Sequence, residues 1–367
     1  MMPDSISEQT RDNAFLQRIL AHQSDRRRVV NEAMARVMSV YLPTEFGAQV
    51  NQQIDWLLDS MLVELGRQPG APVPEGTIRG GRALVIVGEA GAGKSRILRH
   101  TLQSRPEFSG FGIDGSGSPF LSIVAPSPFT LGALGNEIVR RLGYQGRREI
   151  KHSQVWSVVR ALMRENGIRI LHIDEGQHGA EIISASLLQE MENTLKRMME
   201  ESDWQTWLIL SGCPALARFC QSDESMMRRL RVVRFERLRF PDHAEAVKGI
   251  VRSIARLCPN IEHEAILTDE FAARLLHAAL YQFGILVEYV QDAIAECLTA
   301  SASSLFPVHF ADVYTIRTGE PADDLNPFIA RDWETITVER ALHDEGADTM
   351  REAPSCLKPR KRKGDRK

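Results

Sequence analysis

Short apolar segments alternate with amphipathic helical segments over the middle of the chain. Each apolar segment is rich in Val, Ile, Leu or Phe and is bounded by turn residues or by a helical pattern, which is typical of buried parallel strands. Five such strands are predicted, at residues 83–87, 120–125, 168–173, 207–210 and 232–235. Between them, apolar residues recur every three or four positions, as in helices that cover a sheet. This alternation predicts an α/β fold with a parallel sheet.

Helical patterns without strands flank this region on both sides. Before it, apolar stripes predict two helices, at residues 29–38 and 50–62, and the break Tyr41-Leu-Pro43 separates them. After Pro241 four further helices are predicted, at residues 242–257, 268–282, 286–300 and 308–314. Asp242 and Thr268 are the predicted N-caps of the first two of these.

These patterns divide the chain of 367 residues into four predicted segments. They are a helical lead-in at 1–75, whose first 25 or so residues we expect to be mobile, an α/β core at 76–240, an all-helical unit at 241–318, and a charged, largely disordered tail at 319–367. We expect few packed contacts after about residue 340. A chain of this length allows about two domains with a sizeable core.

The composition is that of an ordinary globular protein, with 43% apolar and 25% charged residues. No apolar run approaches the roughly 18 residues of a membrane span, and the first residues lack the apolar core of a signal peptide. We therefore expect a cytoplasmic protein without a membrane partner. The five cysteines are scattered and never form a C-x-x-C pair, so we expect free thiols.

The net charge of -3 is unevenly distributed. Residues 358–367 contain seven basic residues and one aspartate, and a second basic cluster, Arg26-Arg-Arg28, precedes the first predicted helix. Such clusters attract partners that carry phosphates, but they also occur on solvated surfaces and termini without a partner. Both interpretations stay open for each cluster.

The strongest chemical signal lies directly after the first predicted strand. Residues 88–95 match the pattern G-x-x-x-x-G-K-[S/T] and read Gly88, Glu89, Ala90, Gly91, Ala92, Gly93, Lys94, Ser95. The three glycines permit the positive φ values of a tight turn whose N–H groups face phosphates, and the next helix adds its N-terminal partial charge. Lys94 would bind the β- and γ-phosphates, and Ser95 would bind Mg²⁺. The alternative, a glycine-rich turn without a ligand, requires Lys, Ser and both flanking elements to coincide by chance.

A second signal ends the third predicted strand, where Asp174 and Glu175 are adjacent. Open parallel sheets bind ligands at the C-terminal ends of their strands. Asp174 therefore suits the Mg²⁺ shell, directly or through water, and Glu175 can orient and deprotonate an attacking water. Gln177 and His178 follow, either as sensors of the γ-phosphate or of a partner, or as loop residues without a role. His172, inside the strand, is predicted to be a core histidine with satisfied hydrogen bonds.

Residues near the last two strands complete the candidate site. Ser211 ends the fourth strand and is a candidate sensor of the γ-phosphate or of the attacking water, with a turn-forming serine as the alternative. Arg228 and Arg229 precede the fifth strand. In a ring or filament, such an arginine can enter the neighbouring subunit's nucleotide site and stabilise the charge that develops there. A surface ion pair within one subunit is the alternative for both arginines.

Taken in order, these signatures resemble those of the TniB family of AAA+ ATPases from bacterial transposons, which is related to TnsC and the phage Mu B protein. The resemblance covers about residues 25 to 315. The stretch Asp-Glu-Gly-Gln-His at 174–178 and the lead-in at 26–43 carry it, because residues 88–95 alone indicate only a nucleotide-binding protein. It implies an α/β, P-loop (AAA+) fold with a five-stranded parallel sheet sandwiched by helices and a C-terminal all-helical lid.

The resemblance also implies an activity. It implies an ATPase that uses ATP and Mg²⁺, forms a homo-oligomeric ring or helical filament on double-stranded DNA, recruits a transposase to the target, and disassembles when ATP is hydrolysed. The roles carried over are phosphate and Mg²⁺ binding by Lys94 and Ser95, Mg²⁺ support by Asp174, base catalysis by Glu175, sensing by Ser211, and an arginine finger at Arg228 or Arg229.

The expected DNA contacts also follow from the resemblance. Ring-forming relatives hold the duplex backbone with basic and hydroxyl residues on loops, and such contacts carry little sequence information. Arg147, Arg148 and Lys151 are the residues expected to make them here, with the basic tail as an auxiliary.

Two features refine the expected activity. ATP is preferred to GTP, because no N-K-x-D element follows the fourth strand. Many AAA+ lids place an arginine toward the γ-phosphate at the start of a lid helix, but residues 284–288 contain none, so we expect slow hydrolysis. A function of another class also stays open: a nucleotide-switched scaffold or signalling ATPase that recruits a protein partner without binding DNA.

Overall fold

The computed structural model describes residues 14–67, 79–113, 117–146, 148–175, 185–220 and 224–338, with the backbone alone at 185–188 and 218–219. Contacts between residues divide the chain into two compact units. The core unit consists of Ser39–Arg239 and Gln282–Val287. The helical unit consists of the described residues of Met1–Met38, Phe240–Tyr281 and Glu288–Lys367.

A five-stranded parallel sheet forms the centre of the core unit, as predicted. Its strands are β1 (Ala83–Gly88), β2 (Phe120–Val124), β3 (Ile170–Asp174), β4 (Trp207–Gly212) and β5 (Leu230–Phe235), in the order β2-β3-β4-β1-β5. Every neighbouring pair is parallel. The C-terminal ends of β3, β4 and β1 therefore lie side by side at one edge, which brings together the two chemical signals of the sequence.

Helices connect and flank these strands. In chain order they are α1 (14–21), α2 (Asp25–Ser39), α3 (Glu45–Leu65), α4 (Lys94–Gln103), α5 (Leu131–Arg141), α6 (His152–Glu165), α7 (Ala185–Glu200), α8 (Pro214–Cys220), α9 (Glu224–Met227), α10 (Ala244–Ala255), α11 (Asp269–Ala278), α12 (Phe283–Ala300) and α13 (Pro307–Thr318). No helix among the described residues is both long enough and apolar enough to cross a membrane.

The two faces of the sheet are covered by different helices, because successive side chains of a strand point to opposite faces. One face presents residues such as Leu84 and Ile209 to α3 and α4. The other presents residues such as Val85 and Leu208 to α5, α6, α7 and α8. The core is thus three layers deep, and its strands are apolar on both faces, which explains their continuous hydrophobic runs in the sequence.

Helices α2 and α3, which precede the sheet, belong to different units, although the sequence groups them in one lead-in at 1–75. In α3, Ile54 and Leu57 are fully buried in the same cluster as Leu84. In α2, Ala33 and Val37 are buried within the helical unit, and the side chain of Gln291 donates to the Val37 carbonyl at 2.9 Å. An apolar stripe reveals that a helix packs, but not on which surface, so the pattern alone does not separate them.

The helical unit follows the predicted order of helices with one change at a cap. Thr268 caps α11 as predicted, since its hydroxyl accepts from the Phe271 N–H at 3.1 Å. The N-cap of α10 is His243 rather than the predicted Asp242, and no side-chain hydrogen bond caps this helix. The reason is a short turn before the helix, in which the Ala244 N–H donates to the Pro241 carbonyl at 3.0 Å.

Residues 319–338 are packed within the helical unit, so the predicted start of the disordered tail at residue 319 is too early. Phe328 and Ala330 are buried, and the Arg274 guanidinium donates to the carbonyls of Pro327 and Ala330 at 2.7 and 2.8 Å. Hydrogen bonds to backbone carbonyls hold these turns in place, and the amino-acid composition does not reveal such contacts. Residues 339–367, including the basic tail and Cys356, lie outside the described residues. The other four cysteines are free thiols, as predicted.

We predict that Ile54→Ala destabilises the core unit. Removing a fully buried isoleucine side chain from a packed core costs about 2–5 kcal/mol of the free energy of unfolding. Leu62→Ala in the same helix is the matched control, because Leu62 is 71% exposed and its loss is expected to change stability by about 0.5 kcal/mol or less. Urea unfolding of both variants measures the difference. Equal effects would contradict the packing of α3 on the sheet.

Candidate active site

The loop from β1 to α4 has the backbone that a phosphate-binding turn requires. Gly91 and Gly93 adopt φ values of +77° and +88°, and Gly93 directly precedes the first turn of α4. Gly88 differs from the expectation of a positive φ, because it is the last residue of β1. A side chain is excluded there by crowding instead, since a Cβ would lie 2.7 Å from the Cβ of Phe235.

The first turn of α12 lies directly on this loop, within the core unit. The Ile285 N–H donates to the Gly91 carbonyl at 3.2 Å, and a Cβ on Gly284 would lie 2.3 Å from the same oxygen. A Cβ on Gly91 would in turn lie 2.4 Å from Cγ1 of Ile285. Glycine is therefore required on both sides of the contact. The start of α12 thus contacts the loop with backbone and an aliphatic side chain, and residues 284–288 contain no arginine.

The Lys94 ammonium is held inside the loop by main-chain carbonyls. Its Nζ donates to Gly88 at 2.8 Å and to Glu89 at 2.9 Å, and the residue is only 8% exposed. Burial lowers the pKa of Lys94, and the nearby carboxylates of Glu175 and Asp174 oppose that shift. A cation that has lost most of its water and keeps only carbonyl dipoles as hydrogen-bond acceptors gains strongly from an anion placed beside it.

The Asp174 carboxylate collects hydrogen bonds from three different elements. Its Oδ2 accepts from the Ser95 hydroxyl at 3.0 Å, across 79 residues of sequence. Its Oδ1 accepts from the Ser211 hydroxyl of β4 and from the Glu175 N–H at 3.0 Å. The structure thus brings the P-loop, the acidic pair and Ser211 to one point, and Ser211 is the penultimate residue of β4, fully buried.

Glu175 follows Asp174 in an uncommon backbone conformation. Its φ is +56°, in the left-handed region that non-glycine residues avoid at a cost of about 1–2 kcal/mol. Strain of this kind is retained where the surroundings demand one orientation, and it is concentrated at functional sites. Strand β3 ends at Asp174, immediately before this residue.

His172 is a buried core histidine, as predicted, and both ring nitrogens have partners. Nε2 lies 2.8 Å from the Ser211 hydroxyl and Nδ1 lies 2.8 Å from the Ser122 hydroxyl. Burial lowers the pKa of His172 to about 4, although the charge of Asp174 acts in the opposite direction. The ring is therefore neutral at physiological pH.

The sequence does not predict a second cluster, which forms around the Glu89 side chain of the P-loop. The Glu89 carboxylate accepts from the Arg237 guanidinium at 2.7 and 2.9 Å and from the Gln282 amide at 2.7 Å. These residues come from the P-loop, the segment after β5 and the start of α12, so their proximity depends on the fold. The only hint in the sequence is a carboxylate at the first variable position of the motif.

The remaining predicted residues differ in their surroundings. Arg229 is 12% exposed and is bound to Glu200 and to the Arg79 carbonyl, whereas Arg228 is 64% exposed and pairs with Glu224 one turn away. The predicted DNA contacts Arg148 and Lys151 are exposed in the connection between α5 and α6, and within the described residues neither forms an ion pair. Arg147, Gln177 and His178 lie outside the described residues.

A cavity of about 460 Å³ adjoins Ser95 along the outer side of α4. Its lining includes the hydroxyls of Ser39 and Tyr41 and the cationic groups of Arg96 and Arg99, with no carboxylate. The lining of the cavity thus carries excess positive charge next to the P-loop, which suits an anionic ligand.

The donor set fits a nucleotide with Mg²⁺. Mg²⁺ prefers hard oxygen ligands and is usually held by one or two protein groups together with the phosphates. Ser95 and Asp174 offer a hydroxyl and a carboxylate within 3.0 Å of each other, and the buried Lys94 ammonium lies on the same loop. The arrangement can bind a polyphosphate and hold a metal beside it, and Glu175 directly follows Asp174 in the chain.

The pKa of His172 leads to a prediction about stability. In the unfolded chain a histidine titrates near 6.5, so between pH 6.5 and 4 the unfolded state binds a proton that the folded state does not. Stability is therefore lost as the pH falls through this window, by up to about 1.4 kcal/mol per pH unit. Urea unfolding of the wild type and of His172→Gln at pH 5 and pH 7.5 measures it. We expect the variant to lose less stability on acidification, and equal losses would contradict the buried neutral ring.

Comparison with known proteins agrees with this architecture. Residues 78–219 match the family model described as an AAA domain. No curated protein matches the chain significantly. Cdc6p from Pyrobaculum aerophilum is 16% identical, with 76% of this chain and 69% of that chain covered and a TM-score of 0.50. Orc1 from Aeropyrum pernix, solved in complex with DNA, is 12% identical, with 80% and 70% covered and a TM-score of 0.53.

At these identities the solved structures establish the fold alone. Both align over most of the chain, and the family match covers β1 to α8, which includes the P-loop and the acidic pair. The chain therefore has the α/β P-loop fold of the AAA+ ATPases.

Proposed function

We propose that this protein is an ATPase that assembles on double-stranded DNA when ATP is bound, recruits a transposase to that target, and disassembles when ATP is hydrolysed. The hydrogen bond between Ser95 and Asp174 carries the ATPase part, because it joins the phosphate loop to the acidic strand end. The resemblance to the TniB family supports the transposition part, and the DNA bound to the Orc1 neighbour agrees with a role on DNA.

Each residue of the site has a separate role in hydrolysis. Lys94 and the loop N–H groups would bind the phosphates, and Ser95 and Asp174 would hold Mg²⁺. When bound, Mg²⁺ neutralises part of the charge on the phosphates. Glu175 accepts a proton from the water whose oxygen bonds to the γ-phosphorus, while the bond from that phosphorus to the ADP oxygen breaks. The products are ADP and phosphate.

Of the two arginines before β5, Arg228 fits the role of a finger in the neighbouring subunit's site. Arg229 is engaged within its own subunit by Glu200 and a main-chain carbonyl. The pair between Arg228 and Glu224 is exposed on both sides, and such pairs contribute only about 0–1 kcal/mol, so Arg228 is readily released to another partner. β5 is an edge strand, which agrees with a role at a subunit boundary.

We predict that Glu175→Gln abolishes turnover without loss of ATP binding. The amide cannot accept the proton, and loss of a general base lowers the rate by about 10²–10⁴-fold, whereas Lys94 and the loop stay intact. Phosphate release and binding of a fluorescent ATP analogue measure the two effects, and size-exclusion chromatography with ATP should show a persistent oligomer. Glu165→Gln, at the exposed end of α6, is the control. Unchanged turnover in Glu175→Gln would remove this residue from its role.

DNA binding is predicted to depend on ATP and on the basic connection between α5 and α6. A gel shift on random duplex DNA at low salt should appear with a non-hydrolysable ATP analogue and disappear without it. Reversing Arg148 and Lys151 to Glu should weaken the shift about tenfold or more, because phosphate contacts dominate non-specific binding. Nucleotide binding should stay unchanged.

The control for this experiment is a double reversal of Arg164 and Arg256 to Glu, which alters the net charge equally at two exposed positions elsewhere. An equal loss of binding in the control would mean that only total charge matters. The absence of any ATP-dependent shift in the wild type would refute the DNA-binding function and favour the scaffold that recruits a protein partner.

A further inference from the structure

We infer that His172 is a positioning residue for the nucleotide site. Its Nε2–H donates to the Ser211 oxygen, and the Ser211 hydroxyl is thereby oriented to donate to Asp174. The inference rests on the proposed function, because it explains how the carboxylate that would support Mg²⁺ is held. His172 acts through Ser211. It lies two residues before Asp174 on the same strand.

The strand register places the members of this network on one face of the sheet. Ser122 of β2 lies opposite His172 of β3, and His172 lies opposite Ile209 of β4. Because side chains alternate along a strand, Asp174 and Ser211, each two residues further on, share that face. The network therefore runs across three adjacent strands and ends at the edge where the P-loop lies.

The Asp174 carboxylate, at the end of the network, determines the direction of every hydrogen bond in it. An ionised carboxylate only accepts, so the Ser211 O–H donates to Asp174. The Ser211 oxygen is then free to accept, and the Nε2 atom of His172, 2.8 Å away, must carry the hydrogen. A neutral ring with hydrogen on Nε2 has an acceptor at Nδ1, which takes the Ser122 O–H at 2.8 Å. One tautomer alone satisfies all three contacts.

Because these residues are buried, the site depends on this orientation of the hydrogen bonds. Ser211 is fully buried and His172 is 5% exposed, so water does not easily replace a lost partner. Without the Nε2–H donor, the Ser211 oxygen loses its donor, and its O–H is no longer held toward Asp174. The carboxylate then keeps Ser95 and the Glu175 N–H, and its Oδ1 side becomes less defined. Loss of such supporting hydrogen bonds typically costs about 10–100-fold in metal affinity or activity.

Two amide variants separate this role from simple packing. The side-chain nitrogen of glutamine can take the place of Nε2, whereas that of asparagine can reach only the place of Nδ1. Both amides are polar and uncharged, so they are matched for burial. We expect His172→Gln to keep kcat within about threefold of the wild type and His172→Asn to lose about tenfold or more. The affinity for Mg²⁺, measured by calorimetry with a non-hydrolysable ATP analogue, should fall by a similar factor only in the asparagine variant.

Nucleotide affinity without Mg²⁺ should change less than about twofold in both variants, because Lys94 lies outside the network. A further measurement is ¹⁵N NMR of the histidine side chains in the wild type without nucleotide, with His172→Gln used only to assign the signals of His172. It should show His172 as the neutral tautomer with hydrogen on Nε2.

Two results decide the inference. Equal kcat and Mg²⁺ affinity in the two amide variants would overturn it, and so would a hydrogen on Nδ1 of His172. A wild type that hydrolyses no ATP would instead refute the proposed function, and the Mg²⁺ affinities and the ring tautomer would still decide the role of His172. If the asparagine variant does not fold, the tautomer in the wild type alone confirms or overturns the direction of the network.

Discussion

The Asp174 carboxylate is the group on which the site depends, because its hydrogen bonds can be satisfied only in this fold. Its donors come from the first turn of α4, from the end of β4 and from the next residue of its own chain. A carboxylate at the end of a buried strand must be paired, since an unpaired charge there is costly. The strand order puts β3 beside β4 and one strand away from β1, so the sheet topology supplies these donors. Binding chemistry and fold stability are therefore served by the same contacts.

Features that depend on neighbours in sequence could be predicted, and those that depend on register could not. The strands were visible because each is buried on both faces and reads as a continuous apolar run, and the P-loop because its spacing is local. The contact of Ser122 with His172 requires knowing that β2 pairs with β3 in one register. The motif alone suggests that residue 88 is glycine because the turn needs a positive φ. The structure shows another reason, since a side chain there would collide with Phe235 of a distant strand. The Glu89 cluster likewise joins three separate segments.

Arg228 and Arg229 are adjacent in the turn between α9 and β5, but their surroundings differ. The Arg229 guanidinium is bound by Glu200 and by the Arg79 carbonyl, whereas the exposed Arg228 pairs with Glu224 one turn away. The sequence offers no basis for choosing between them, because their chemistry is identical. Only the packing of the chain around β5 distinguishes an arginine that stabilises its own subunit from one that is available to a neighbour.

The charge balance of the loop supports the proposal that a second subunit completes the site. A triphosphate brings several negative charges, and the Lys94 ammonium is the buried cation that the loop itself provides. The guanidinium of Arg237 is near, but the Glu89 carboxylate already neutralises it. The first turn of α12 meets the loop with the backbone of Gly284 and the side chain of Ile285, so it adds no side-chain charge there. Under the proposed function, an exposed, weakly held arginine such as Arg228 of another copy adds to the positive charge of Lys94 and of the cavity residues Arg96 and Arg99, and it stabilises the charge that develops on the phosphate during hydrolysis.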